Sequence, residues 1–294
     1  MRALNSMKEI EIKSPAKINL GLRVLRKRKD GYHEIETILQ MISLYDDILI
    51  RESDKEIKVF CDDETLKGRR NLAYTAAKVI KEKSKRKSGV DIFIKKNIPV
   101  GSGLGGGSSN AASVILGLNR LWELDYSKER LMEIAKFLGS DVPFFINGPV
   151  AIARGRGEII NPIKKVEKMH LILVIPPQPI STEWAYKNLN LKLTSIPSGS
   201  TLYRLNLSKI NNIQDYLHND LEEVVKERLP DISEIKKKLI SLGSKGVAMS
   251  GSGSSVYGIF EEYDMCLKAY EIMKKERWRI IFTETLTDAR EFYH

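Results

Sequence analysis

An α+β fold is predicted by three features of the chain. Segments that alternate in steps of two, as strands do, are mixed with segments whose apolar residues recur at helical spacing, without the strict strand-helix-strand repetition of a parallel α/β sheet. Two glycine-serine loops, at 99–112 and 249–255, each adjoin apolar strand patterns. The 294 residues, 42% of them hydrophobic, supply core for two ordinary domains.

The elements follow in order. Ile10 to Leu25 alternates as a strand, which puts Lys17 and Asn19 on one face. Asp30-Gly31 supplies a turn ahead of Tyr32-His33. A helix begins near Asn71, and Val90, Ile92 and Ile94 alternate with Asp91 and Lys95 as a further strand. After the first glycine loop, Val114, Leu118 and Leu121 mark a helix starting near Ser108. A third helix runs from Ser127 as cap through Leu138 and closes at Gly139. Gly148 to Ile160 reads as a hairpin, and a boundary falls between Gly157 and Lys168, giving an N-terminal domain over 1–160 and a C-terminal domain over 161–294. Beyond it come a strand at Leu171 to Ile175, a Pro/Ser/Gly loop at Ile196 to Thr201 and a largely helical Leu217 to Leu242 broken at Pro230. Strands flanking the second glycine loop, from Gly246 to Phe260, complete the pattern.

The segment Pro99 to Ala112, PVGSGLGGGSSNAA, carries the most chemical information. It joins a strand to a helix start, its glycines can turn several N–H groups inward, and the helix adds unpaired donors and the positive end of its dipole. Such a loop suits a triphosphate. No lysine follows Gly107, so a Walker A loop is excluded. Gly101, Gly103 and Gly106 do spell G-x-G-x-x-G, but no β-branched run ends at Glu123 or Asp125, which weakens a dinucleotide reading. The HRD and DFG signatures of protein kinases are absent.

Composition narrows the setting. Cys61 and Cys266 are too few for a disulfide framework or a zinc motif. Met1 to Ser6 shows no targeting pattern, and the most apolar run, Leu171 to Ile175, is far below membrane-spanning length, so a soluble, cytoplasmic protein is expected. The formal net charge of +10 is compatible with nucleic acid, a membrane surface or small polyanionic substrates, and it is spread rather than focused; the densest runs are Arg23 to Lys29 and Lys81 to Lys87.

Three segments in order, SPAKINLGL with DGYHEIET, then PVGSGLGGGSSNAA, then MSGSGSSVYGIF, resemble the GHMP kinase superfamily. LGSDVPFF and GPVAIARGRGE add a likeness to a member acting on a cytidine diphosphate sugar alcohol in isoprenoid precursor synthesis. The resemblance implies a two-domain fold, with an N-terminal domain like a ribosomal-protein domain, a C-terminal ferredoxin-like domain and the active site between them. It also implies ATP-dependent phosphorylation of a hydroxyl of that substrate. Another small-molecule GHMP kinase, for homoserine or mevalonate, is the near alternative; a basic nucleic-acid-binding module is the distant one, which leaves the glycine loops unexplained.

Residue roles follow from the same resemblance. Asp141 is the catalytic base, and Lys17 pairs with it, keeping it ionised and offsetting charge on the transferring group. Asn19 orients the acceptor alcohol. Tyr32, His33 and Tyr186 form the cytidine site, two rings stacking on the base while the histidine reads its edge; Trp184 competes with Tyr186, and Thr182 of the same segment lies on the substrate side. Gly251, Ser252 and Gly253 face the substrate diphosphate. Pro99, Gly101, Gly103, Leu104, Gly105, Gly106, Gly107, Ser108 and Ser109 wrap ATP, with Ser108 or Ser109 near the metal and Asn71 and Lys96 at the adenosine. Mg²⁺ is expected, and no motif names its ligands. The partners implied are small molecules, not nucleic acid or membrane, and the protein itself a monomer or weak homodimer.

Overall fold

The computed structural model describes residues 8–163, 167–190 and 216–288. The expected loop at Ile196 to Thr201 and the segment Met1 to Ser6 lie outside the described residues.

A long antiparallel pair organises the first half. Strand β1 (Glu9–Lys27) turns through Asp30-Gly31 into β2 (His33–Ser53), with Gly31 at φ 86°. The second strand is long enough to hold two further partners along its length. Its C-terminal half pairs with β4 (Gly89–Lys95), which carries β3 (Ile57–Cys61), and its N-terminal half pairs with β5 (Val150–Gly155), which carries β6 (Ile159–Pro162). One face of this sheet is covered by α1 (Leu72–Ser84), α2 (Gly106–Leu121), α3 (Lys128–Lys136) and α4 (Val142–Asn147), which share one apolar core with it.

Register shifts in β1 decide what its side chains meet. Before the shift at Pro15/Ala16, Ile12 packs beneath α2 and Ser14 bonds Ser109 of that helix. After it, Lys17 and Asn19 take over that side, while Ala16, Ile18 and Leu20 join Leu171, Leu173, Tyr257 and Ile259 in the core between the two halves. Here β2 advances three residues, from Tyr45 to Ile42, while β1 advances one, and this irregularity reverses which side of β1 faces the glycine loop and delivers Lys17 to it.

The second half contains β7 (His170–Ile175), α5 (Thr182–Asn188), β8 (His218–Asn219), α6 (Glu222–Arg228), α7 (Asp231–Ser241), β9 (Gly246–Met249), β10 (Val256–Phe260), α8 (Tyr263–Met273) and β11 (Arg279–Glu284). Its antiparallel sheet has the order β11-β7-β10-β9, the ferredoxin-like arrangement that the resemblance implies. Two segments cross back. The short β8 adds to the first sheet beside Gly21 and Leu22, and the stretch after β11 returns to β2, where Thr285 bridges Ile42 and Leu286 N–H donates to Met41.

Three expected boundaries move. Helix α2 starts at Gly106, not Ser108, because Gly105 takes the cap position at φ 72°, where a side chain would be strained. Helix α3 ends at Lys136 rather than Leu138, since Phe137 and Leu138 bond in tight turns to Ile134 and Ala135. The segment from Leu217 opens with β8, not a helix, because His218 and Asn219 find an open edge on β1.

The two glycine loops meet backbone to backbone. A Cβ on Gly103, which sits at φ 79°, would lie 2.1 Å from the carbonyl oxygen of Ser250. Gly103→Ala should therefore destabilise the fold, by roughly 1–3 kcal/mol for the forced separation and about 1–2 kcal/mol more for the left-handed backbone. Thermal melting checks this; a melting temperature within a degree of the parent would show that the loops part without cost.

Candidate active site

The site forms where β1, the two glycine loops and the start of α4 converge. Lys17 is buried, with its side chain 5% exposed, and its Nζ donates to Asn19 Oδ1 at 2.6 Å and faces Asp141 Oδ2 at 3.7 Å. Asp141 occupies the N-cap position of α4, yet its side chain makes no cap hydrogen bond and is 35% exposed. An aspartate there ordinarily bonds an N–H of the first turn; this one instead presents its carboxylate to the lysine and to solvent.

Several neighbours fix Asn19. Its Nδ2 donates to Thr37 Oγ1 at 2.8 Å, Thr37 Oγ1 donates to the Gly21 carbonyl, and Tyr257 Oη donates to the Asn19 carbonyl at 2.8 Å. Its own N–H donates to Ser250 Oγ, which in turn donates to the Gly103 carbonyl. Both sides of the Asn19 amide are thus engaged, and its first effect is to hold Lys17. Burial pushes the Lys17 ammonium below its ordinary value, and the nearby Asp141 charge opposes that shift in part.

The first glycine loop covers this pair. A Cβ on Gly105 would lie 3.0 Å from Lys17 Cγ and 3.1 Å from Phe145 Cζ, so the absence of a side chain lets the start of α2 approach. The Ser109 N–H bonds back to the Gly105 carbonyl, leaving the amides of Gly106, Gly107 and Ser108 as the first-turn donors. Gly107 faces open space. Of the two serines, Ser108 is partly exposed, whereas Ser109 is buried against Ser14 at 2.7 Å. Pro99 accepts from Ser102 Oγ, and Lys17 N–H donates to the Leu104 carbonyl at 3.0 Å.

Asn71 caps α1: Oδ1 accepts from Ala73 N–H and Nδ2 donates to the Leu66 carbonyl. The Lys96 ammonium is ion-paired with buried Asp46 and donates to Asn110, so it does not project freely. The second loop lies opposite. A Cβ on Gly251 would stand 3.2 Å from both Lys17 Nζ and Asn19 Oδ1, Ser252 Oγ and Thr182 Oγ1 are 2.8 Å apart, and Gly253 N–H donates to the Ser250 carbonyl.

The aromatic residues are arranged otherwise than expected. His33, not Tyr32, stacks on Tyr186, with ring centroids 5.1 Å apart and 25° between planes. The two rings already lie at stacking distance, so no base fits between them. Tyr32 is 56% exposed and carries the Arg156 guanidinium over its ring at 4.8 Å. Trp184 is taken by Arg228 at 4.6 Å, which leaves Tyr186 as the ring beside His33. Burial, with smaller contributions from Asp141 and Asp220, raises the Tyr186 phenol well above its ordinary value. Burial first, then Lys27, lowers the His33 imidazole.

Sequence reasoning missed Thr37, Asn219 and Asp46. Asn219 Nδ2 donates to the carbonyls of Met249 and Gly251, clamping the second loop, and no local pattern announces it. Asp46 had a signal in the acidic pair Asp46-Asp47 inside an otherwise apolar strand. Among the described residues, no helix is long and apolar enough to cross a membrane, and no group of three or more His, Cys, Asp or Glu could hold a metal ion.

A carboxylate beside a buried cation, under a glycine loop that leads into a helix, is an arrangement suited to phosphoryl transfer. Family models for the GHMP kinases N terminal domain and the GHMP kinases C terminal match residues 71–149 and 202–276, and the chain belongs to the GHMP kinases. It is 43% identical, over 95% of its length and all of the relative's, to a 4-diphosphocytidyl-2-C-methyl-D-erythritol kinase of Geobacter metallireducens. To the protein of that name from Acetivibrio thermocellus it is 42% identical, with 95% and 100% covered. A crystal structure of 4-(cytidine 5'-diphospho)-2C-methyl-D-erythritol kinase superposes with a TM-score of 0.80 at 32% identity, covering 95% of this chain and 100% of that one.

The lowered Lys17 value has a sign that can be checked. Between the folded value and 10.5 the unfolded chain binds more protons at this residue than the folded one, so its contribution to stability grows as pH rises through that window and is lost as pH falls through the folded value. The melting temperature of the parent minus that of Lys17→Met should therefore increase from neutral pH toward 10.5. A difference that stays flat or shrinks would mean that burial does not dominate at this lysine.

Proposed function

We propose that the chain transfers the γ-phosphoryl group of ATP to the 2-hydroxyl of 4-diphosphocytidyl-2-C-methyl-D-erythritol, giving the 2-phosphate and ADP. The observation that carries this reading is Asp141, a carboxylate at a cap position that caps nothing and faces a buried lysine at 3.7 Å. The substrate assignment draws support from relatives of that name at 42–43% identity over nearly the whole chain.

In this reading Asp141 aligns the acceptor hydroxyl and takes its proton, while Lys17 keeps Asp141 ionised and faces the transferring group. Asn19 holds Lys17 in place and borders the acceptor. The amides of Gly106, Gly107 and Ser108 receive the phosphates, with Gly101, Gly103, Leu104 and Gly105 shaping the loop after Pro99. Asn71 and Lys96 lie at the adenosine. Lys96 meets it through its backbone carbonyl, since its ammonium is paired with Asp46 and its N–H donates to Asp62. Thr182, Gly251, Ser252 and Gly253 border the diphosphate of the second substrate, and the base lies against the stacked His33 and Tyr186, with Tyr32 at the rim.

Mg²⁺ bound with the phosphates would neutralise charge on the transferring group. The loop offers the ion one hydroxyl oxygen, its backbone N–H groups being donors to phosphate and not metal ligands, which fits an ion that takes its ligands chiefly from phosphate and water. Ser108 is the hydroxyl open to it, because Ser109 is engaged with Ser14. The division into an ATP-binding domain over 1–160 and a second domain over 161–294 belongs to the same proposal, supported by the change of sheet between Pro162 and His170. We place the protein in the cytoplasm as a monomer or weak homodimer; its two buried free cysteines accord with a reducing compartment.

Asp141→Asn keeps the shape of the side chain and removes the proton acceptor. Turnover should fall by about 10²–10⁴ with both Michaelis constants little changed. Steady-state kinetics with both substrates decides it, and near-parental kcat would remove Asp141 from the base role.

Cytosine and uracil differ at the edge a histidine can read, so selectivity lies with His33 and stacking with Tyr186. His33→Ala should lose much of the preference for the cytidine substrate over its uridine counterpart, while Tyr186→Ala should weaken both alike, by roughly 1–3 kcal/mol. The readout is kcat/KM for both nucleotides in the three proteins; an unchanged ratio in His33→Ala would end the recognition role.

A further inference from the structure

A buried polar network lies beneath the phosphate end of α2, and its side chains take no part in the chemistry described above. The Asp46 side chain is fully buried. Its Oδ1 accepts from the backbone N–H groups of Asn97 and Ile98, each at 2.8 Å. Its Oδ2 accepts from Asn110 Nδ2 at 2.9 Å and from the Lys96 ammonium. Lys96 also donates to Asn110 Oδ1 at 3.2 Å, Asn110 Nδ2 donates to Ser14 Oγ at 3.0 Å, and Ser14 meets Ser109. One carboxylate thus ties β2, the connection after β4 and the second turn of α2 together.

The ammonium in this network lies directly under the phosphate cradle. A Cβ on Gly106 would stand 3.1 Å from Lys96 Nζ and 3.0 Å from Ile98 Cγ2. A cation at that place is at the unfavourable end of the helix dipole, and burial adds to its cost unless a counter-charge is fixed beside it. Asp46 is that counter-charge, and its two backbone bonds hold it where the loop begins. Removing it would free Lys96 to move and would loosen the turn whose amides face the nucleotide.

We propose that Asp46 is a positioning residue for ATP: without touching the nucleotide, it fixes Lys96 and the first two turns of α2 so that the amides of Gly106 to Ser108 converge on the phosphates. This rests on the reading of that loop as the ATP site. The effect falls on the donor nucleotide and not on the second substrate, because the network contacts neither the stacked His33 and Tyr186 nor the Lys17 and Asp141 pair.

The test compares the parent with Asp46→Asn and Asn110→Ala. The second variant keeps the ion pair and removes only its tether to α2, so it decides the matter if Asp46→Asn does not fold. The readouts are the Michaelis constants for ATP and for the cytidine diphosphate substrate, and the inhibition constant of ADP. The ATP and ADP constants should rise about tenfold or more in Asp46→Asn and several-fold in Asn110→Ala, while that for the second substrate stays within about twofold. Parental ATP and ADP constants in the folded variants would overturn the proposal, as would all three constants worsening together, the mark of general loosening. A parent protein that binds neither ATP nor ADP would instead overturn the ATP reading on which the proposal rests.

Discussion

The close approach of two backbone loops is the constraint on which the rest of this structure depends. Gly103 admits no side chain because the Ser250 carbonyl occupies its Cβ position, and the Ser255 N–H donates to the Ser102 carbonyl at 3.1 Å. Through this contact the two sheets share one core, with Ile18 and Leu20 of β1 against Leu173 and Tyr257. Lys17 is buried as a consequence, between the loops and under Gly105. A lysine in that position needs an oxygen partner and a nearby carboxylate, and Asn19 and Asp141 supply them.

The parts of the site that lie close in sequence were legible. Glycine density between a strand pattern and a helix pattern identified the loop, and two-residue spacing put Lys17 and Asn19 together. The register shift at Pro15/Ala16 was not legible, because alternation on either side of a bulge looks continuous in an apolar strand. Nor was the pairing of His33 with Tyr186, which joins the start of β2 to α5 across the molecule and displaces Tyr32 from the ring contact. The short β8 was hidden for another reason: two residues carry no periodicity, and only the open edge of β1 makes them a strand.

Charge tells a similar story. The net charge of +10 pointed to anions without saying where. Among the described residues most cations in ion pairs are about a third or more exposed, and such pairs contribute little. Lys17 and Lys96 differ from these, since both are buried and both lie within contact distance of a glycine of the first loop, Gly105 and Gly106 respectively. Position relative to that loop, rather than the number of lysines, sets these two cations apart. The dense runs Arg23 to Lys29 and Lys81 to Lys87 have no such placement.

The two glycine loops look alike in sequence and do different work. In the first, the amides at the start of α2 open toward Gly107 and solvent, which is what an anion requires. In the second, several backbone groups are tied into the protein: the Ser250 N–H donates to the Ser255 carbonyl, the Gly253 N–H donates to the Ser250 carbonyl, and the carbonyls of Met249 and Gly251 accept from Asn219. A loop anchored at these points makes a firm wall for a ligand. Glycine serves there for closeness, letting Gly251 come against Lys17 and Asn19, and what it offers a ligand are the hydroxyls of Ser252 and its neighbour Thr182. In the proposed reading the donor nucleotide lies at the first loop and the acceptor at the second, with Lys17 between them, within contact distance of both Gly105 and Gly251.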